Sequence, residues 1–389
     1  MRGVRACDTG TVRARDIAGV FLRLGVTGFG GPAAHIALMR DEFVRRRQWM
    51  EDDEFLEMVG IANLIPGPNS TELAMHIGAR QAGRKGLFVA GACFIIPAVI
   101  IVAFLAWLYA EYGTDPAVVD IRYGVLPVII AIVAHALTGL GRATITSTRN
   151  GVIAGAAFIS YLLGVHELIV LVVAGVIAIA WSHFDNAWRN RGSGGVSPML
   201  YGIALVPLAV TGGAKDASLW RLFTVFLQVG AVLYGSGYVL LAFLENQLVN
   251  ELGWLTSQQL LDAVAVGQIT PGPLFSTATF IGWQVAGVWG SVVATIGIFL
   301  PSFVFVALLV VIVPWVKRHA NVQVFINGVT IASLGLMAGV LVDLGNDALV
   351  DVFTVLIAVF SLIVLLATKL NTTWLIGVGV VIGVVNYFV

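Results

Sequence analysis

Residues 63–72 read NLIPGPNSTE, and residues 268–277 read QITPGPLFST. In each, two prolines flank a glycine inside a strongly apolar region, and no regular helix runs through Pro-Gly-Pro. A helix of about ten residues is expected before each break and another after it. Ten residues rise only about 15 Å, half a bilayer, so the natural shape is a re-entrant hairpin with the break at its tip. Irregular backbone at membrane depth survives only where protein buries it or where it lines a wet cavity. Asn69, Ser70 and Thr71 in one copy, and Ser276 and Thr277 in the other, are expected to cap the helices that follow.

The two stretches are one segment written twice. A shift of 205 residues carries Val20-Phe21-Leu22 onto Val225-Phe226-Leu227, Gly25 onto Gly230, Trp49 onto Trp254 and Pro66-Gly67-Pro68 onto Pro271-Gly272-Pro273. After the loss of one residue, a shift of 204 carries Gly83 onto Gly287, Gly86 onto Gly290 and Pro97 onto Pro301. Chance similarity between apolar sequences would preserve Leu and Val, not the glycines and prolines. The chain therefore divides into an N-terminal repeat, residues 1–195, and a C-terminal repeat, residues 196–389.

Around the interrupted segments, 16–81 and 221–284, the sequence is that of a membrane protein: 58% of 389 residues are hydrophobic and 11% are charged, far below a soluble domain. Apolar runs at 87–112, 123–140, 151–163 with 168–181, 289–315, 322–342, 353–367 and 373–388 are candidate spans. Residues 184–195 read as a polar linker, and 198–210 as an apolar stretch that crosses once or not at all. The N-terminus carries basic residues without a cleavable hydrophobic region and reads as a cytoplasmic tail. Net charge is zero, which gives no indication of nucleic acid, and Cys7 and Cys93 have no metal-type spacing.

Charge sets the orientation of the halves. Residues 16–112 contain Arg23, Arg40, Arg45, Arg46, Arg47, Arg80, Arg84 and Lys85, whereas 222–316 contain neither Lys nor Arg. By the positive-inside rule the halves point in opposite directions, although Arg122 fits neither placement cleanly. The expected fold is an all-α polytopic membrane protein of two inverted repeats, each with interrupted helices followed by about four transmembrane helices (87–183 and 289–388). Inverted repeats with broken helices at the bilayer centre are typical of secondary transporters.

The candidate site follows from the same breaks. Helix N-termini carry roughly half a positive charge each, so two tips entering from opposite faces favour an anion between them. The site is expected at Pro66, Gly67, Pro68, Asn69, Ser70, Thr71, Pro271, Gly272, Pro273, Ser276 and Thr277, with the glycine run Gly30, Gly31, Pro32 and its counterpart Gly235, Ser236, Gly237 nearby. Those glycines either cradle the anion with freed N–H groups or permit close helix packing. His35 is either an anion donor or a cap. Glu72 and His76, one turn apart on one helix face, form either a proton relay or a structural ion pair. Arg23 either attracts anions in a vestibule or snorkels to headgroups. No phosphate loop, catalytic triad or metal-ligand cluster is present, so neither an enzyme nor a cofactor is expected.

FGGPAAHIALMRDEFVRRRQWM, NLIPGPNSTELAMHIG, GQITPGPLFSTATFIG and IGIFLPSFVFV closely resemble the chromate ion transporter family, long-chain two-half type, over essentially the whole chain. The resemblance implies a multi-pass bacterial inner-membrane protein that exports chromate and so confers resistance, with sulfate, an isosteric dianion, as competitor. Its motif positions fall on Phe29, Gly30, Gly31, Pro32 and His35, on Pro66 to Glu72, and on Pro271, Gly272, Pro273 and Thr277. The second half has Gly235-Ser236-Gly237 where the first has Gly30-Gly31-Pro32, so a fully symmetric site is not expected. Membrane lipid is the remaining expected partner, and a homodimer is left open. The coupling ion stays open too: membrane potential alone, or protons through Glu72 and His76. Sulfate or another small anion as substrate, and an anion channel on the same fold, are the competing readings.

Overall fold

The structure, a computed structural model, describes residues 13–29, 31–113, 115–189, 218–233, 240–309, 316, 318–368, 370 and 372–388. The described residues are mostly helical, and no strand occurs among them. Residues 1–12 of the expected cytoplasmic tail, the stretch 198–210 and residues 190–195 of the expected linker lie outside them, whereas 184–189 continue the helix Glu167–Arg189 and are not linker.

Helix α1 (Ala14–Thr27) buries Ile17, Val20, Phe21, Leu24 and Gly25, the i, i+3, i+4, i+7, i+8 stripe of an amphipathic helix. Its counterpart in the second repeat, Leu219–Val232, buries Leu222, Val225, Phe226, Val229 and Gly230, the same five positions 205 residues on. Gly25 packs so closely on the next span that a Cβ would sit 2.8 Å from the Phe94 carbonyl. Gly230 approaches the Ile298 carbonyl in the same way.

In the first repeat the chain continues through α2 (Gly31–Arg40), a π-helical turn (Asp41–Arg46), α3 (Asp52–Ala62) and α4 (Asn69–Tyr112). A straight helix of 44 residues would be about 66 Å long, twice a bilayer. It is not straight: Ala82 (φ −141°, ψ 27°) and Gly83 (φ 59°, ψ −146°) break it. Backbone beside backbone at Gly78 and Gly86 leaves no room for a Cβ on either, so the chain folds back sharply. The arm before the kink returns along α3, with Arg80 at the end of the arm donating to Glu54 at the start of α3 over 2.9 Å. That arrangement is the expected re-entrant hairpin, with Pro66-Gly67-Pro68 at its tip.

The rest of the first repeat is α5 (Pro116–Thr144), α6 (Thr148–Leu162) and α7 (Glu167–Arg189). The second repeat runs α8 (Leu219–Val232), α9 (Leu240–Leu244), a π-helical turn (Glu245–Glu251), α10 (Ser257–Ile269), a 3₁₀ turn (Leu274–Ser276), α11 (Thr277–Ala307), α12 (Ala320–Ala348), α13 (Val352–Ala367) and α14 (Thr372–Phe388). Its kink, Ala286 (φ −148°, ψ 29°) and Gly287 (φ 60°, ψ −147°), reproduces that of α4 within a few degrees. Even the loop bonds repeat: Trp49 N–H donates to Phe43 O and Trp254 N–H to Leu248 O, both at 2.8 Å.

The last three helices of each repeat are exchanged. Helix α5 packs on α13 and α14, and α12 packs on α6 and α7. Small residues allow this, as is usual between helices in lipid: a Cβ at Gly124 would strike the α14 backbone at Gly383, and one at Gly335 would strike α6 beside Phe158. Residues 124–133 of α5 are buried on every face, so α5 is an inner helix. Polar contacts tie the halves together: Tyr161 donates to Asp343 over 2.8 Å, and Asn386 to Asp120 over 2.9 Å. The anomalous Arg122 belongs here. It donates to the buried Asp262 of α10 over 3.1 Å, and Tyr109 donates to the same carboxylate over 2.5 Å. A half-buried cation paired in this way with a buried carboxylate is placed by its partner, not by the membrane potential.

Five helical stretches are long and apolar enough to cross a membrane: Asn69–Tyr112, Val119–Thr144, Glu167–Phe184, Leu274–Ala307 and Ala320–Ala348. Leu219–Val232, Val352–Ala367 and Thr372–Phe388 are shorter apolar helices.

Candidate functional site

The two tips are held by each other's repeat. Gly67 (φ +132°) and Gly272 (φ +95°) adopt backbone conformations that side-chain-bearing residues rarely enter. Gly67 N–H donates to Leu233 O, and Gly272 N–H donates to Gly28 O, both over 2.8 Å. Gly28 and Leu233 are the C-caps of α1 and α8, also 205 residues apart. A helix end leaves carbonyls without intrahelical donors, and each repeat meets this need with the tip of the other. Residue i contacting j' while i' contacts j is the signature of two-fold pseudosymmetry.

Around the Gly28 carbonyl the symmetry stops. His35 on α2 is 2% exposed, and its Nε2 lies 2.9 Å from Gly28 O. A carbonyl only accepts, so Nε2 carries the hydrogen. In the neutral ring Nδ1 is then the acceptor for the Ser70 hydroxyl at 3.3 Å. Ser70, His35, Gly28 and Gly272 thus form a hydrogen-bonded path from the first tip to the second. The positions matching His35 and Ser70 are Leu240 and Phe275, and both are buried, so the second repeat has no such path.

On the other side of Gly67 lies Glu72, in the first turn of α4 and 0% exposed. A Cβ at Gly67 would collide with its carboxyl group and would stand 2.6 Å from Ser302 Oγ. The buried Glu72 Oε1 and Oε2, Thr71 Oγ1, Ser276 Oγ and Ser302 Oγ have no hydrogen-bond partner. Unsatisfied buried polar atoms are uncommon in folded proteins; here five, from α4, α11 and the 3₁₀ turn between the second tip and α11, flank the two tips. No helix start here is capped by a side chain: the cap position of α4 is Pro68, that of the 3₁₀ turn is Pro273 and that of α11 is Ser276. The expectation that Asn69 to Thr71, Ser276 and Thr277 act as caps is therefore corrected. Helix α4 begins at Asn69 itself, which puts these residues inside the first turn. Asn69 Nδ2 instead donates to Asn63 Oδ1 over 2.6 Å, and Thr277 Oγ1 to Leu274 O over 2.7 Å. Ser276 is the cap position of α11, but its side chain accepts nothing.

The remaining expected residues are spread more widely. Gly31 (φ +77°) and Pro32 open α2, while Gly30, Gly235, Ser236 and Gly237 lie outside the described residues. Glu72 and His76 are not paired, since both Glu72 oxygens are free of partners. Arg23, half exposed, makes an ion pair with Glu42 of the π-helical turn, so it is held by a carboxylate of its own repeat. Glu42 lies outside the spans: burial pushes its carboxyl up, but hydrogen bonds from Arg47 and Arg23 outweigh this and hold it below its usual range. Ser302 and Leu233 were not singled out by sequence reasoning, whereas Gly28 opens the glycine run Gly28, Gly30, Gly31, Pro32 that was. Ser302 had a signal, a hydroxyl beside Pro301 within an apolar span; Leu233 contributes only a carbonyl and had none. Two grooves elsewhere, lined by Ile177, Trp181 and neighbouring side chains of α6 and α7, are apolar and suit lipid. Among the described residues no His, Cys, Asp and Glu cluster suits a metal ion.

Paired repeats, tips at broken helices and spans rich in small residues define a multi-pass membrane transport protein, not an enzyme. The chain belongs to the chromate transporter family, whose model matches residues 15–180 and 220–384. It is 33% identical over 387 residues, 95% of each chain, to a probable chromate transport protein of Synechococcus elongatus. It is 30% identical over 393 residues to the chromate transport protein of Cupriavidus metallidurans, covering 97% of this chain and 94% of that one. The chromate transport protein of Pseudomonas aeruginosa is 28% identical over 338 residues, 84% of this chain and 80% of the relative. No solved structure matches the chain.

Proposed function

We propose that the protein exports chromate from the cytoplasm across the inner membrane by alternating access and so confers chromate resistance. The repeats 1–195 and 196–389 move against each other around a dianion held at the two tips. Backbone N–H groups of the uncapped helix starts and the hydroxyls of Thr71 and Ser276 replace water around the oxyanion, while Ser70 holds His35. Support rests above all on one observation: unpartnered buried hydroxyls gather at two uncapped helix starts, in a chain of the chromate transporter family. Sulfate has the same shape and charge and is the expected competitor. With the cell interior negative, outward movement of a dianion gains roughly 4.6 kcal/mol per 100 mV, twice the value for one charge, so the potential alone suffices as a driving force.

The test is uptake of labelled chromate into inside-out membrane vesicles, with lumen-positive potential and pH gradient imposed separately. Saturable, potential-driven accumulation that sulfate inhibits is expected. Absence of chromate uptake would overturn the substrate, and unsaturable flux that merely follows the gradient would replace the transporter with a channel.

A further inference from the structure

Glu72 stands out from the other buried carboxylates of the protein. Asp262 receives Tyr109 and Arg122, Glu167 receives Asn246, and one oxygen of Glu245 receives Ser257. Glu72, fully buried, makes no hydrogen bond of ordinary geometry on either oxygen, and the Ser302 hydroxyl beside it is its one neighbour able to donate. The cations on the helices packed against α4 are paired with other carboxylates or stand exposed at a helix start. Helix α1 carries Arg15, exposed at its start, and Arg23, paired with Glu42, and α2 carries Arg40, paired with Asp52. His35 on α2 is engaged at both nitrogens. The first turn of α3 carries Asp52, Asp53 and Glu54, with Glu57 a turn further on, and α10 carries Asp262, paired with Arg122. Helix α11 holds no titratable residue. On α4 itself His76 lies one turn on, and Arg80 is paired with Glu54; Arg84 and Lys85 follow the kink. Ser302, which also faces Gly67, offers the carboxyl a neutral hydroxyl and no charge.

An ionised carboxyl buried without a cation is so unfavourable that such groups hold a proton instead. A carboxylate at the tip would also repel the dianion that the helix starts attract, whereas a carboxylic acid there donates a hydrogen bond to it, as neutral acids do in apolar enzyme sites. The matching position in the second repeat is Thr277, whose hydroxyl is already bonded to Leu274 O, and the position matching Ser302 is Ala98. The pocket therefore exists once per chain.

We propose that Glu72 acts as a resident neutral acid, a single hydrogen-bond donor to a fully deprotonated tetrahedral dianion, and that its proton stays with the protein through the transport cycle. This reading rests on the oxyanion site proposed above. It replaces the alternative in which Glu72 and His76 pass a proton across the membrane. Flux then responds to membrane potential and not to a pH gradient imposed at constant potential. It falls at alkaline pH, where Glu72 loses its proton and the site turns negative.

Two measurements on the full-length protein in lipid test it. The infrared spectrum at neutral pH is expected to show a protonated-carboxyl C=O band that is absent from Glu72→Gln and that disappears at alkaline pH. In vesicles, Glu72→Gln is expected to transport chromate at a reduced rate but without the alkaline fall, because an amide donates without ionising. Glu72→Ala is expected to lose about tenfold or more in apparent affinity, the value of one buried hydrogen bond. Identical infrared spectra for the protein and Glu72→Gln, or one proton moved per chromate in the wild type but not in Glu72→Gln, would overturn the inference. If no oxyanion is moved at all, the transport reading fails, while the carboxyl band still decides the state of Glu72.

Discussion

Replacing Gly67 by alanine probes the tip and its anchor together. At φ +132° the position lies where a side-chain-bearing residue is strained by about 1–3 kcal/mol. The new Cβ would stand 2.6 Å from Ser302 Oγ and would overlap the Glu72 carboxyl. Both neighbours are buried and must leave their rotamers, at about 0.5–1.5 kcal/mol. Tilting the tip also weakens the bond from Gly67 N–H to Leu233 O, 2.8 Å long, worth about 0.5–1.5 kcal/mol. The expected destabilisation is about 2–6 kcal/mol by these terms. Gly83 is the control. Its φ is also positive, at +59°, but a Cβ there meets nothing within 4 Å, so Gly83→Ala carries only the strain of about 1–3 kcal/mol. Thermal unfolding in detergent, followed by tryptophan fluorescence, ranks the two against wild type, and chromate flux in vesicles reads the site. Gly67→Ala is expected to melt below Gly83→Ala and to transport far less, because it displaces Glu72. Equal melting temperatures for the two variants, or normal flux in Gly67→Ala, would refute both the close approach of Gly67 to Glu72 and the role given to the tip.

Two further outcomes follow from charges away from the tips. Arg122→Met leaves Asp262, 4% exposed, with Tyr109 as its donor and no cation, and is expected to destabilise by about 3–5 kcal/mol. Adding Asp262→Asn is expected to restore most of that loss in the same thermal assay, and a double variant no better than the single one would argue against the pair. Glu42 has a folded-state carboxyl held below its ordinary value by Arg47 and Arg23 against the effect of burial. Its contribution is therefore complete above the unfolded carboxyl range, near pH 4.3, and is lost as pH falls through the lower folded value. The thermal midpoint of wild type is expected to drop in that acid window, with a shallower drop for Glu42→Gln; superimposable acid profiles would count against it.

Much of the architecture is legible in the sequence because its devices act locally. Proline removes a donor and blocks the preceding turn, and glycine alone tolerates positive φ. Pro66-Gly67-Pro68 and Pro271-Gly272-Pro273 therefore mark hairpin tips wherever they occur, and their 205-residue offset reveals the duplication without any knowledge of packing. The lopsided distribution of Arg and Lys likewise requires only a membrane potential to be read. Family membership follows from the same ordered motifs. The first-turn caps were misread because a polar run after proline resembles a capping sequence, whereas the chain places the proline itself in the cap position.

The tertiary structure decides what those devices touch. That Gly67 bonds Leu233 and Gly272 bonds Gly28, that α5 packs on α13 and α14, and that Arg122 finds Asp262 140 residues away depends on which apolar faces and small residues meet. Local sequence does not encode such choices, because any apolar helix face suits lipid as well as it suits another helix. The same holds at the site. The sequence by itself put Glu72 beside a helix break. Only the close packing of Gly67, Ser302 and Glu72 leaves that carboxyl buried without a cation, and the second tip, with Thr277 and Ala98 at the matching positions, has no such group.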